Sequence, residues 1–269
     1  MQKFQSIFKI AKPIIGMIHL KALLGSPKFD NNINAIIDSA LNELNIYKKA
    51  GIDAIAIENM HDVPYLKNNV GHEISSLMSI IAYQIKKESN LPCGIQVLSS
   101  ANKTALAIAK NANLDFIRAE GFVFGHVADE GYIDANAGEL LRYRKQLNAD
   151  NIAIFTDIKK KHSSHAITSD IDITDTAKAA EFFLSDGLII TGKSTGTNAD
   201  INELTQVKNA CNLPVIVGSG ITIENISDYL KVSDALIVGS YFKNEGHWEN
   251  ELDYDRIASF MNKVNQLKS

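Results

Sequence analysis

Pro214-Val215-Ile216-Val217-Gly218-Ser219-Gly220-Ile221-Thr222 is a short apolar run that breaks at a Gly-Ser-Gly turn, with a helical pattern from about Ile223. An apolar run of this length, bounded by Pro and Gly, reads as a buried strand. Glycines let the backbone approach an anion closely, and a helix start beyond them presents unpaired N–H groups and a positive dipole end. The pattern recurs at Ala235-Leu236-Ile237-Val238-Gly239-Ser240. Two successive strands that each end in Gly-Ser match the phosphate site after the seventh and eighth strands of a (β/α)8 barrel. Either turn alone is explained by an ordinary strand-ending glycine; the pair favours phosphate.

A barrel needs six earlier strands, and the chain supplies them. Apolar runs at 13–20, 54–59, 94–98, 116–120, 152–157 and 188–191 alternate with helical patterns at 32–49, 73–89, 102–111, 137–147, 173–184 and 202–211. The first of these helices carries Ile33, Ile36, Ile37, Ala40, Leu41 and Leu44 on one face. A final helix is expected over 254–266. Short continuous apolar strands between helices indicate a parallel sheet covered by helices. Eight units with no leftover segment predict closure into one (β/α)8 TIM barrel, a single domain over 1–269. The long connection 121–136, with His126, Asp129 and Glu130, is expected to be a lid-like loop.

The 269 residues suffice for one such barrel, and 45% hydrophobic with 22% charged residues is a globular composition. A net charge of −4 supplies no basic excess for nucleic acid. No apolar run reaches the roughly 18 residues that span a bilayer. The N-terminal segment lacks the apolar core and cleavage site of a signal peptide, and Cys93 and Cys211 show neither metal-ligand spacing nor a disulfide framework. A reducing compartment, the cytoplasm, is the expectation.

In this fold the active site lies at the C-terminal ends of the strands. Glu58 ends an apolar run, where partial desolvation raises a carboxyl pKa and suits it to proton transfer; the plainer reading is a salt-bridged carboxylate paired with Arg118 or a lysine. Asp157 leads into Lys159-Lys160-Lys161-His162. A lysine here can hold phosphate, act as base or form a Schiff base, although charge runs are usually solvated loops. Alternation from Asp157 puts Lys159 and Lys161 on its side of the strand. The expected catalytic group is therefore Glu58, Asp157, Lys161 and His162. Thr191, Gly192, Gly218, Ser219, Gly220, Gly239 and Ser240 are expected to bind the phosphorylated ligand. His61, Asp62, Glu73, His126 and Asp129 lack diagnostic metal spacing, so no metal site is expected; Mg2+ carried on a substrate phosphate needs few protein ligands and stays open. No other cofactor is required, and assembly into a homo-oligomer also stays open.

Residues 187–194, Gly-Leu-Ile-Ile-Thr-Gly-Lys-Ser, match the P-loop pattern letter for letter. A P-loop, however, places a loop between its glycines so that N–H groups wrap the phosphates. Here those intervening residues read as the strand itself, so an NTPase is the third reading.

Several segments together resemble the BtpA/SgcQ family. They are Ile15-Gly16-Met17-Ile18-His19-Leu20 with Gly25-Ser26-Pro27, Glu58-Asn59 with Asp62-Val63-Pro64, and Phe116-Ile117-Arg118. Lys161-His162, Thr191-Gly192 with Thr195-Gly196, and Gly218-Ser219-Gly220 with Asn225-Ile226 complete the set. Ser99-Ser100 and the stretch 119–124 depart from the commoner bacterial pattern. The resemblance implies a barrel akin to the ribulose-phosphate-binding group. It links the chain by family name to photosystem I biogenesis and, for SgcQ-type members, to sugar-utilisation operons. The leading expectation is an isomerase, lyase or hydrolase acting on a sugar phosphate or nucleotide derivative. A non-enzymatic assembly or regulatory factor is the alternative.

Overall fold

The computed structural model describes residues 1–192, 194 and 196–268. The chain begins with α1 (Gln2–Ile7), β1 (Ile14–His19), α2 (Ile33–Ala50), β2 (Ala54–Glu58), α3 (His72–Ser89), β3 (Cys93–Gln96), α4 (Asn102–Asn111) and β4 (Phe116–Ala119). There follow β5 (His126–Ala128), β6 (Gly131–Ile133), α5 (Ala137–Gln146), β7 (Ala153–Asp157), β8 (Ser163–Ser164) and α6 (Ile173–Phe182). The last elements are β9 (Gly187–Ile190), α7 (Ile201–Ala210), β10 (Val215–Val217), α8 (Ile226–Val232), β11 (Ala235–Val238) and α9 (Tyr254–Lys268). Parallel strands close in the order β1-β11-β10-β9-β7-β4-β3-β2, so the expected (β/α)8 barrel is what the chain forms.

Strand alternation divides the apolar residues between two layers. Ile14, Ile18, Ile55, Ile57, Ile95, Ile117, Ile154, Leu188, Val217 and Leu236 share one core with the helices. Ile15, Met17, Ala54, Ala56, Phe116, Ala153, Phe155, Ile189, Ile216, Ala235 and Ile237 form the inner core. The inner layer mixes very small and very large side chains for a steric reason. A Cβ on Gly94 would sit 2.1 Å from the Phe116 ring, and one on Gly187 would sit 2.9 Å from Phe155. Phe4 and Phe8, from α1 and the residue beyond it, pack on Phe116 and Phe155 and join the inner core. Nothing in the local sequence pattern marks this N-terminal segment for that role.

Two elements differ from expectation. The 121–136 connection is not an irregular loop: β5 pairs with β6 and with β8 in a small antiparallel sheet. Helix α8 starts at Ile226 rather than near Ile223. The cause is local. The Asn225 amide accepts from the Thr222 N–H at 2.8 Å and donates to the Gly220 carbonyl at 2.8 Å, holding a turn where the helix would otherwise begin.

Candidate active site

The inward parity that fills the barrel with Ala and Phe ends, one step further along each strand, in polar side chains. His19 closes β1, Glu58 β2, Gln96 β3 and Asp157 β7, while Arg118 stands in β4. Register places His19 beside Glu58 and Glu58 beside Gln96. A cavity of about 660 Å3 opens over them, within the size range of small-molecule sites. Its lining includes His19, Glu58, Gln96, Arg118, Glu120, Lys160, Lys161 and His162.

Two buried ion pairs brace the floor. Arg118 donates from Nε and Nη2 to the two Asp157 carboxylate oxygens, each at 2.7 Å. Asp157 itself does not line the main cavity, so it stands behind the guanidinium rather than facing a ligand. Lys160 Nζ lies 3.2 Å from Glu120 Oε1, and the Ser100 N–H donates to the other oxygen at 3.1 Å. Burial pushes the Glu120 carboxyl up, but Lys160, Arg118 and the Ser100 N–H together hold it below its ordinary value. Among the described residues Glu58 shows no such clamp; its ion-pair contact is His19 Nε2 at 3.6 Å. Burial therefore raises its pKa against the opposing pull of Arg118 and Lys161. Burial, then the Arg118 charge, lowers the Lys161 pKa. Burial does the same to His19, aided by Lys243, His61 and Lys161. His162, also at the cavity, is lowered by burial first and Lys161 second.

Strand alternation does not carry past Asp157. The strand ends there and Lys159 turns with φ 45°, so Lys159 donates toward the Thr168 carbonyl at 3.5 Å and does not line the main cavity. Lys160 and Lys161 both line it. Alternation skips Lys160, which is why the sequence does not single it out.

Gly218, Ser219, Gly220, Gly239 and Ser240 line the wall opposite the acidic strand ends. Among the described residues, the N–H groups of Ser219, Gly220, Ser240 and Tyr241 have no hydrogen-bond partner. With α8 starting late, the donors at this wall are loop N–H groups rather than a helix end. Thr191 and Gly192 sit elsewhere. Thr191 Oγ1 accepts from the Lys161 N–H at 3.3 Å, and a Cβ on Gly192 would come within 2.1 Å of the Thr197 carbonyl oxygen. Neither lines the cavity, so both shape the neighbouring backbone. The P-loop match fails geometrically as well, since residues 187–190 are β9 and α7 starts only at Ile201. Its Lys193 lies outside the described residues.

The family-like segment Glu58-Asn59 with Asp62 has a structural half. Asn59 accepts from the Leu98 N–H at 2.7 Å and donates to Asp62 at 3.0 Å, and Asp62 accepts from the Leu23 N–H at 2.6 Å. The clip ties the tops of β1, β2 and β3 together. Among the described residues no group of three or more His, Cys, Asp or Glu side chains could hold a metal ion. Met60, Tyr65, Trp248 and Arg256 also line the cavity, from loops and from α9. Their signal in sequence is slight; Trp248 is the chain's single Trp and lies beyond a strand's C-terminal end.

The BtpA family model matches residues 10–266, and the chain belongs to the BtpA family. It is 48% identical over 264 residues to the Caenorhabditis elegans protein F13E9.13, mitochondrial, covering 96% of this chain and 95% of that one. It is 33% identical to the photosystem I biogenesis protein BtpA of a Synechocystis strain, covering 100% and 93%. Solved structures share the fold at low identity. KGPDC from Streptococcus mutans has a TM-score of 0.62 at 9% identity, covering 97% of this chain and 100% of its own. The (S)-3-O-geranylgeranylglyceryl phosphate synthase of Thermoplasma acidophilum, in complex with sn-glycerol-1-phosphate, has 0.61 at 15%, covering 98% of each. No described helix is long and apolar enough to cross a membrane.

Proposed function

We propose that this barrel is an enzyme that binds a phosphorylated small molecule and acts on it by general acid–base chemistry. One observation carries the reading: a single cavity joins the N–H groups of two Gly-Ser turns, unpaired among the described residues, to Glu58 and Lys161, whose pKa values are shifted toward neutrality from opposite sides. Backbone N–H groups converging at strand ends suit a phosphate. A carboxyl raised by burial can keep its proton to donate, and an amine lowered by burial can lose one to accept. In this scheme Lys161 is the base and Glu58 the acid, with His162 at the mouth. Asp157 moves from proton transfer to orienting Arg118. The phosphate ester bound to the Thermoplasma synthase accords with the reading, but fold likeness alone assigns no reaction. The cytoplasm remains the proposed compartment, although the nematode relative's name says mitochondrial.

The test is inorganic phosphate binding followed by thermal melting and calorimetry. A ligand at about 100 times its Kd adds about 2.7 kcal/mol of stability. Ser240→Asp puts a negative charge at the turn and should abolish that gain without changing the melt in phosphate-free buffer. Equal phosphate stabilisation of the variant and the parent would remove the phosphate seat.

One observation favours the second reading, a partner-binding factor. Phe182, Phe183 and Leu184 at the end of α6 are 81%, 46% and 66% exposed, a contiguous apolar patch. Loss of a partner from pull-downs with Phe182→Ser, with the Lys161→Ala variant unaffected, would support it.

A further inference from the structure

We propose that the organic part of the ligand is a planar unsaturated ring, as in an aryl phosphate or a nucleoside monophosphate, and that it stacks on Trp248. The proposal rests on the phosphate reading for one end of the ligand; the ring subsite stands on separate residues.

Trp248 is the only Trp in the chain, and it lines the cavity while remaining partly exposed. The His61 ring lies 5.0 Å from the indole at an interplanar angle of 44°. His61 does not itself line the cavity, so Trp248 is the member of this ring pair that borders the open space. A large apolar ring that packs on a neighbour and borders a ligand site gains from being covered. Met60 and Tyr65 line the same cavity, and the Tyr65 hydroxyl is committed to the Met60 carbonyl at 2.8 Å, which leaves its ring as the contact surface.

The position is set by topology. Trp248 follows β11 in the same connection that begins with Ser240, and His61 follows β2. The strand between them is β1, which pairs with both. A phosphate on the Gly239-Ser240 turn therefore leaves the rest of the molecule to run over β1 toward Trp248. His19 on β1 and Gln96, two strands away at the end of β3, line the same cavity, and His19 Nδ1 and Gln96 Oε1 are buried polar atoms with no partner among the described residues. Their residues are only 8% and 2% exposed. Unpaired polar atoms at such depth are costly unless a ligand meets them, so the ring or its linker carries hydrogen-bonding substituents.

The experiment compares probes that differ by the ring or by the phosphate: ribose 5-phosphate, adenosine, and adenosine and uridine 5′-monophosphates. Fluorescence of the parent protein reads Trp248 directly, and calorimetry gives affinities. Nucleotides should quench the indole and bind at least about fivefold tighter than ribose 5-phosphate, because stacking on an aromatic side chain contributes about 1–3 kcal/mol per base. Trp248→Leu should cost the nucleotides that margin while leaving ribose 5-phosphate within twofold, and Trp248→Phe should recover most of it. If Trp248→Leu fails to fold, the fluorescence comparison on the parent decides alone. The ring proposal is overturned if nucleotides bind no tighter than ribose 5-phosphate and adenosine produces no quenching. If adenosine binds through Trp248 while inorganic phosphate and ribose 5-phosphate do not bind, the phosphate seat falls and the ring subsite stands.

Discussion

Arg118 and Asp157 meet in a two-pronged ion pair, Nε to one carboxylate oxygen and Nη2 to the other, both at 2.7 Å and both side chains buried. Burial opposes the Arg118 charge, but the carboxylate more than offsets it and raises the guanidinium pKa. Removing one partner of such a pair leaves an uncompensated charge, at a cost of about 3–5 kcal/mol. Asp157→Asn should show that loss in urea unfolding. Asp157→Leu combined with Arg118→Leu should cost less than the two single changes added together. A stability for Asp157→Asn within about 1 kcal/mol of the parent would mean the pair is not structural and would make Asp157 a candidate base again.

Lys161 offers a chemical readout. An amine held low by burial and by Arg118 is neutral, and so nucleophilic, at a pH where surface lysines are still protonated. Brief acetylation at about pH 8 and about pH 10, followed by mass spectrometry, gives a ratio for each lysine. The ratio for Lys161 should exceed those for Lys145 and Lys231, which are well exposed. Equal ratios would withdraw Lys161 as the proposed base.

His126 should make the protein acid-sensitive. Burial first, then Lys160 and His165, hold its imidazole down to about 4 against the opposing effect of Glu120. The unfolded chain protonates it from about pH 6.5 downward while the native state does not. Its contribution to stability is therefore complete above that value and is lost as the pH falls toward 4. His126→Asn should flatten this part of the stability profile, measured by urea unfolding across the window. The raised carboxyls of Glu58 and Glu43 act with the opposite sign near and above their ordinary value of 4.5, so the difference between parent and variant is the informative quantity. An unchanged slope would contradict the assignment.

Gly94 and Phe116 test the inner layer. A methyl at Gly94 collides with the Phe116 ring at 2.1 Å, and overpacking of this kind costs about 1–3 kcal/mol. Gly94→Ala should lower the unfolding midpoint, and adding Phe116→Leu should restore part of it. No rescue would mean that the ring can move aside more freely than this packing allows.

The barrel was legible in the chain because burial on both faces makes each parallel strand a continuous apolar run, and helices between such runs leave few other arrangements. Glu58 was legible for the same reason, as a carboxylate at the end of Ala54-Ile55-Ala56-Ile57. Lys160 was not. Its place in the cavity depends on the end of β7 at Asp157 and the positive φ at Lys159, which no alternation rule anticipates. The short sheet of β5, β6 and β8 escaped because its paired segments are two or three residues long and one of them is remote in sequence.

By itself, then, the sequence determined the strand count, the order of the units, the end of the barrel that carries the polar groups and the pairing of the two Gly-Ser turns. All of these follow from local patterns of burial and backbone freedom. The tertiary structure alone decided which charges meet. Asp157 and Arg118 are 39 residues apart in the chain, yet the carboxylate is spent on the guanidinium, while Glu58 faces His19 at 3.6 Å among the described residues. It alone also brought Trp248, from beyond the last strand, against His61 from beyond the second. Closure of the sheet sets both results, because β1 can join β2 to β11 only once the barrel has formed.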